Sequence, residues 1–311
     1  MTVQMKRWAV FISTGKHPFY TITVVAVIVI VCAVGLYRIE VETDPVKLWV
    51  SESSKTYQQK EHYGDLFRPF YRTEEVLLVP KDGGDIYRVD ILKEAIRVQT
   101  KIANTVYTST DGNVTLDDIC WKATGTDCTV NSITQYFQNN MEHFETYERY
   151  GLVLEHFSNC LYSPATSDVD LCTTLTNALA DNDSIPSTMS DCPCLAAFGS
   201  PMNLYNTYLG GFPDGAESNY TLYLQSTAFV SSALVYNYED SADNQAAIHW
   251  EREFIDLLKA EAESNDIFNI YFQAEISVQD EVDKESHNGM GPVAASYCVM
   301  LVYISLGINR W

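Results

Sequence analysis

The first regularity along the chain is a run without a single charge, Phe19 to Tyr37 (FYTITVVAVIVIVCAVGLY). As a helix its 19 residues would rise roughly 28 Å, close to the roughly 30 Å hydrocarbon layer of a bilayer. Much of it is β-branched, which suits an isolated helix in water poorly. In lipid the backbone must bond to itself, and a helix is the expected outcome. A second apolar run, Pro292 to Ile308, has 17 residues, the lower limit for a span. Between them, Arg38 to Val50 reads as extended and Ser51 to Asp65 as a polar helix capped by Ser54. Glu74 to Pro80 is a short apolar run ended by Pro80 and the Asp82-Gly83-Gly84 turn, hence a strand. Val89 to Val106 places Ile91, Leu92, Ala95, Ile96, Val98, Ile102 and Val106 at helical spacing. Residues 107 to 220 are irregular, with short helices expected near Ile133 to Asn140 and Thr173 to Ala180. Leu222 to Tyr236 contains strand-like material, and Ala242 to Glu263 is an amphipathic helix presenting Ala247, Trp250, Phe254, Leu257 and Leu258. Ile267 to Ala274 reads as a strand and Ser277 to Glu285 as a short acidic helix. This order predicts an α+β domain with one sheet and helices on one face, anchored by transmembrane helices at both ends.

The flanks orient the first run. Lys6, Arg7 and Lys16 precede it, while Arg38 and then Glu40, Glu42 and Asp44 follow. The positive-inside rule places the N-terminus in the cytosol. The expected organisation is a cytosolic or interfacial amphipathic segment (1–18) carrying Trp8, Val10, Phe11 and Ile12, a transmembrane helix (19–37), a non-cytosolic domain (38–291) and the start of a second span (292–308). The rival reading of the first run is a signal peptide cut near Ala33-Val34-Gly35, but the run is longer than a signal core. Either way the domain lies outside the cytosol. So large a domain before a single closing span leads us to expect a piece of a larger protein.

Charge sharpens the compartment. All 41 Asp and Glu lie between Arg38 and Gly291, against 16 of the 20 Lys and Arg, a net −25 for that interval. Such a domain repels nucleic acid and anionic headgroups, and it suits a compartment of low pH. Of eight Cys, Cys32 and Cys298 sit in the apolar runs. The other six, Cys120, Cys128, Cys160, Cys172, Cys192 and Cys194, all lie in the domain, an even count that argues for disulfides. The sequons at Asn113, Asn182 and Asn219 fall in the same region and point to a glycoprotein of the secretory pathway.

Three stretches then carry a resemblance: Thr43-Asp-Pro-Val-Lys-Leu-Trp49 with Phe67-Arg-Pro-Phe-Tyr-Arg-Thr-Glu74; Asp117-Asp-Ile-Cys120 with Thr134-Gln-Tyr-Phe-Gln-Asn139; and Trp250-Glu-Arg-Glu-Phe254 with Ser277 to Ser286 and Ser296 to Ser305. In this order the chain resembles the Niemann–Pick C membrane sterol transporter family, over its second transmembrane helix, its middle luminal domain and the start of its third helix. The resemblance implies a luminal domain in late endosomes, lysosomes or a vacuole. It also implies a sheet like the porter modules of resistance-nodulation-division transporters, and a C-terminal span that begins a sterol-sensing domain. It implies a partner, a small soluble luminal sterol carrier, with membrane lipid and the remaining transporter domains around it, and sterol as the transported ligand of the full-length protein. Docking in the family uses two protruding loops. The second corresponds to Tyr147 through His156, with Tyr147, Tyr150, Leu152, Val153 and Leu154 as the contact residues; Glu148 stands where the family has another aromatic. The first, Asp82 to Val89, is short here and has no apolar tip. The family's disulfides, carried over, are Cys120–Cys128 and Cys160–Cys194. Cys172 and Cys192 have no obvious counterparts and are left to each other.

Other chemistry is set aside. Cys192-Pro193-Cys194 lacks CxxC spacing and is read as structural. The six His show no metal spacing, and His156, beside the second loop, is read as an ordinary surface residue, with sensing of acidic pH as the alternative. There is no GxSxG, P-loop or dinucleotide fingerprint. The expected function is therefore non-enzymatic, without cofactor or metal: the middle luminal domain of an intracellular sterol transporter. The alternatives are a Patched-like ectodomain binding a protein ligand, an anchored hydrolase, and a purely structural anchor.

Overall fold

The computed structural model describes residues 7, 10, 11, 14, 17–36, 50, 51, 53–67, 70–109, 112–165, 167–178, 192–202, 205–216, 218–238 and 242–308. Arg38 to Trp49 and most of residues 1–16 lie outside them. The chain divides into two units, 1–57 and 58–311. The first contains α1 (His17–Leu36), 20 residues without charge, whose side chains from Phe19 to Val31 include Val24, Val27, Ile28 and Ile30 exposed on every side. Among the described residues no helix is long and apolar enough to cross a membrane, so the anchoring expected at both ends is not part of the observed architecture.

Next come α2 (Lys55–Phe67), β1 (Phe70–Pro80), α3 (Val89–Ala103), and a hairpin of β2 (Val106–Ser109) and β3 (Gly112–Thr115). The one-turn α4 (Leu116–Ile119) and β4 (Val130–Asn131) lead to a 3-10 turn, Ile133–Phe137. Three helices follow: α5 (Met141–Arg149), α6 (Val153–Tyr162) and α7 (Val169–Ala178). The chain closes with β5 (Leu209–Gly210), β6 (Ala228–Asn237), α8 (Gln245–Ser264), β7 (Phe268–Gln273) and α9 (Ile276–Ile308).

β1 is the middle of the sheet. It pairs antiparallel with β6 from Phe70↔Asn237 to Leu78↔Phe229, and with β7 from Glu75↔Gln273 to Pro80↔Phe268. β4 and β5 both pair with β6, also antiparallel. Alternate residues of β1 are buried: Arg72, Glu74, Val76, Leu78 and Pro80. Phe229, Ser231, Ala233 and Val235 of β6 and Phe268 and Ile270 of β7 join them. The expected α+β architecture with one main sheet is thus observed.

The covering helices follow from their stripes. α3 buries Ile91, Leu92, Ala95, Ile96, Val98 and Ile102, and its Gln99 accepts a hydrogen bond from Ser231 of β6 at 2.6 Å. α8 buries Ala247, Trp250, Phe254 and Leu258, and the Trp250 indole donates to the Thr105 carbonyl at 3.0 Å. At its C-terminus Asn265 accepts from the Ile267 and Phe268 N–H groups and donates to Glu94, which fixes the turn into β7. Ser54 caps α2 by accepting from the Tyr57 N–H.

Several expectations are corrected. β1 starts four residues before Glu74, because Arg72 and Glu74 are charged yet buried and so hide the strand's alternation. The strand-like material expected within Leu222 to Tyr236 is β6, and a 3-10 turn, Tyr220–Gln225, precedes it, with the Asn219 side chain accepting from the Thr221 N–H. Ser277 to Glu285 and Pro292 to Ile308 form one helix, with Pro292 inside α9. Proline there removes one hydrogen bond without ending the helix.

Ile96 has no solvent exposure, so Ile96→Ala should cost about 3 kcal/mol of stability through lost transfer energy and a residual cavity. Denaturant unfolding measures this, with Leu66→Ser, 66% exposed on α2, expected within about 0.5 kcal/mol of the parent.

Candidate functional site

The stretch Tyr147 to His156 forms a helix–turn–helix. Asn140 caps α5 by accepting from the Glu142 N–H at 2.8 Å. Phe144 and Tyr147, three residues apart, face inward and both meet the Phe137 ring edge-on. Gly151, at φ +71°, turns the chain in the left-handed region, and the Leu152 N–H bonds the Tyr147 carbonyl at 2.9 Å. α6 then buries Val153, Phe157, Cys160 and Leu161.

None of the five expected contact residues is exposed. Tyr147 and Val153 are each 1% exposed, and Tyr150, Leu152 and Leu154 are half-buried against the core. This stretch protrudes less than a loop would, because its apolar residues follow helical spacing on either side of Gly151. That periodicity, Phe144 and Tyr147 then Val153, Phe157 and Cys160, was available in the sequence.

His156 is not a surface residue: it has no solvent exposure. Its ring stacks on Tyr147 at 4.1 Å, its Nε2 lies 2.9 Å from the Tyr136 carbonyl, and its Nδ1 lies 3.7 Å from Asp168. Burial raises the Asp168 carboxyl, but hydrogen bonds from His156, Asn159 and the Leu171 N–H outweigh it and hold the group below its ordinary range. Burial pushes His143 down; its Nδ1 lies 2.8 Å from the Gln138 side-chain oxygen. The Gln138 amide in turn donates to the Pro193 and Leu195 carbonyls, both at 2.9 Å.

The turn at Asp82 to Val89 meets this helical pair. Arg88 and the Gly84 N–H both hold the Asp82 carboxylate, lowering its proton affinity. Ile86 is buried, and the Tyr87 hydroxyl donates to the Leu154 carbonyl at 2.8 Å, with its ring 5.9 Å from Phe157. Lys93 of α3 pairs with Glu148 at 2.6 Å. The structure therefore brings the two expected loop regions side by side.

Two disulfides brace this half, Cys160–Cys194 and Cys172–Cys192, and a third, Cys120–Cys128, sits against β6. Cys192 and Cys194 belong to different bridges, so the Cys-Pro-Cys stretch is not a redox pair. Asp117 lies near Cys120 and Cys128, but their disulfide leaves no thiolate for a metal. Asn113, on the hairpin, and Asn219 are exposed, whereas Asn182 lies outside the described residues.

The molecule is thus a disulfide-braced α+β module whose distinctive feature is a paired-turn surface. Residues 60–276 match the family described as "NPC1, middle luminal domain", and the chain belongs to that family. It is 31% identical to the pig protein named NPC intracellular cholesterol transporter 1, over 98% of this chain and 24% of that one. It is 28% identical to mouse NPC1-like intracellular cholesterol transporter 1, over 96% and 23%, and 25% identical to fruit-fly NPC intracellular cholesterol transporter 1 homolog 1b, over 97% and 24%. The chain spans about a quarter of the length of these relatives, which are named as transporters rather than enzymes.

Burial assigns Tyr147 a packing role: Tyr147→Ala should destabilise by about 3 kcal/mol, read from the urea midpoint. Removing the Cys172–Cys192 bridge as a double serine variant should cost about 3 kcal/mol for its closed loop of separation 20, read in the same titration without reductant.

Proposed function

We propose that this chain is the luminal platform of an intracellular sterol transporter, on which a small soluble sterol carrier docks and which braces the sterol route toward the membrane. The observation that carries the reading is the meeting of the Asp82–Val89 turn with the α5–α6 turn through Tyr87 and Leu154. Both regions correspond to the family's docking loops, and a composite of two turns offers a carrier a surface neither makes alone. Tyr150, Leu152 and Leu154, half-buried at that junction, are the contact residues; Tyr147 and Val153 support them from below. Aromatic and aliphatic anchors at the centre of such a patch supply most of an interface's energy.

Anchoring belongs to the same proposal. α1 has 20 uncharged residues with apolar side chains facing outward all round, and α9 ends in an apolar stretch of exposed Val299, Leu301, Val302 and Ile304. Both suit lipid better than water. The domain then lies in the lumen of a late endosome, lysosome or vacuole, with glycans at its sequons and the remaining transporter domains beside it.

Binding of a sterol-loaded carrier to the chain in detergent micelles tests this. Saturable binding at about pH 5.5, at least tenfold weaker in Tyr150→Ala/Leu154→Ala with an unchanged melting temperature, is the expected result. Equal binding by parent and variant would move the site elsewhere, and no binding by a folded chain would overturn the docking role.

A further inference from the structure

One buried cluster lies outside the paired-turn surface. Arg72 and Glu74 stand two residues apart on the buried face of β1 and so point the same way. Opposite them is Glu251 of α8. Arg72 is 7% exposed, Glu74 2% and Glu251 not at all. Arg72 donates to both Glu251 oxygens, through Nη2 at 2.9 Å and through Nε. Glu251 Oε2 also accepts from the N–H of Ile276, the first residue of α9, at 3.0 Å. The guanidinium is therefore committed to Glu251, and Glu251 to Arg72 and α9. Neither Glu74 oxygen has a hydrogen-bond partner among the described residues.

Fully ionised, this pocket would hold two carboxylates against one guanidinium, with Glu275 adding further negative charge nearby. A buried uncompensated carboxylate is expensive, and a single proton removes the imbalance. A protonated carboxyl also gains a donor, and the Glu251 carboxylate beside it can accept.

We propose that Glu74 holds a proton in the folded protein, and that this proton completes a Glu74–Glu251–Arg72 link pinning the first turn of α9 to the sheet. Burial first, then the Glu251 charge, pushes Glu74 up to about 9, with Arg72 opposing. Because α9 runs unbroken from Ile276 to Ile308, the sheet's hold on that whole helix becomes proton-linked. Deprotonation would place a second negative charge under α8 and loosen the grip of Glu251 on the Ile276 N–H.

The sign follows from the raised affinity. Between about pH 4.5 and about 9 the folded state binds a proton that the unfolded chain does not. Stability is therefore greatest toward the acid end and is lost as pH rises to about 9. The opposing groups act in acid: His143 is held low by burial, and Glu261 is lowered to about 2 despite burial by Arg97, Lys101 and Asn265. A slope measured above neutrality is consequently clear of both.

The test uses the 311-residue chain in detergent micelles. Its unfolding equilibrium constant should rise about tenfold per pH unit from pH 7 to 9, the signature of one proton. Glu74→Gln should abolish the slope, while Glu253→Gln, at an exposed position, should keep it. Amides of 276–280 should lose hydrogen-exchange protection over the same range in the parent but not in Glu74→Gln. A slope that survives Glu74→Gln would overturn the assignment, and unchanged protection at 276–280 in the parent would overturn the pin. Should Glu74→Gln fail to fold, infrared spectroscopy of the parent decides: a buried protonated-carboxyl band at neutral pH supports the proposal, and its absence overturns it.

Discussion

β1 must hydrogen-bond along both edges at once while hiding one face, and the rest of the domain is arranged by that demand. Its ladders to β6 and β7 leave no free edge over Glu75 to Leu78. The hidden face must then be roofed, which α3 does with its aliphatic stripe and α8 with Trp250, Phe254 and Leu258. Each buried aliphatic or aromatic side chain contributes about 1.5–3 kcal/mol. That contribution tolerates the two charged residues, Arg72 and Glu74, which the same face encloses. Arg72 is balanced by Glu251, and the imbalance left at Glu74 is where the fold couples to protons.

The other half of the domain solves a different problem. Between β4 and β5 there is little strand pairing, and the helices α5, α6 and α7 are short. Packing there depends on an aromatic group, Tyr136, Phe137, Phe144, Tyr147 and Phe157, around buried His156. Disulfides from α6 and α7 to the Cys192–Cys194 strip close what the small core leaves loose, as cross-links do by restricting the unfolded chain. This braced half presents the α5–α6 turn, and the sheet half presents the Asp82–Val89 turn against it. A surface composed from both halves keeps its shape only while both are folded.

Membership of the NPC1 middle luminal domain family agrees with this division, since the matched residues 60–276 cover the sheet and the braced half together. α1 and all of α9 after Ile276 lie beyond that match.

Much of this was legible in the residues. The period of apolar positions located α3, α8 and β7 within a few residues, because a stripe or an alternation of side chains states directly which face must leave water. The co-linear motifs identified the family. What the sequence did not reveal lies where local pattern and tertiary role conflict. Arg72 and Glu74 read as polar, so the start of β1 was hidden; the burial of Arg72 rests on Glu251, 179 residues further along the chain. The run from Tyr147 to Leu154 matches a docking loop by resemblance, and nothing local to it shows that Phe137 and His156 pack around Tyr147. The sequence by itself determined most of the elements, the acidic character and the family, since these depend on neighbours in the chain. Tertiary structure alone decided which charges are buried and which turns meet, because both depend on partners that are distant along the chain and adjacent only in space.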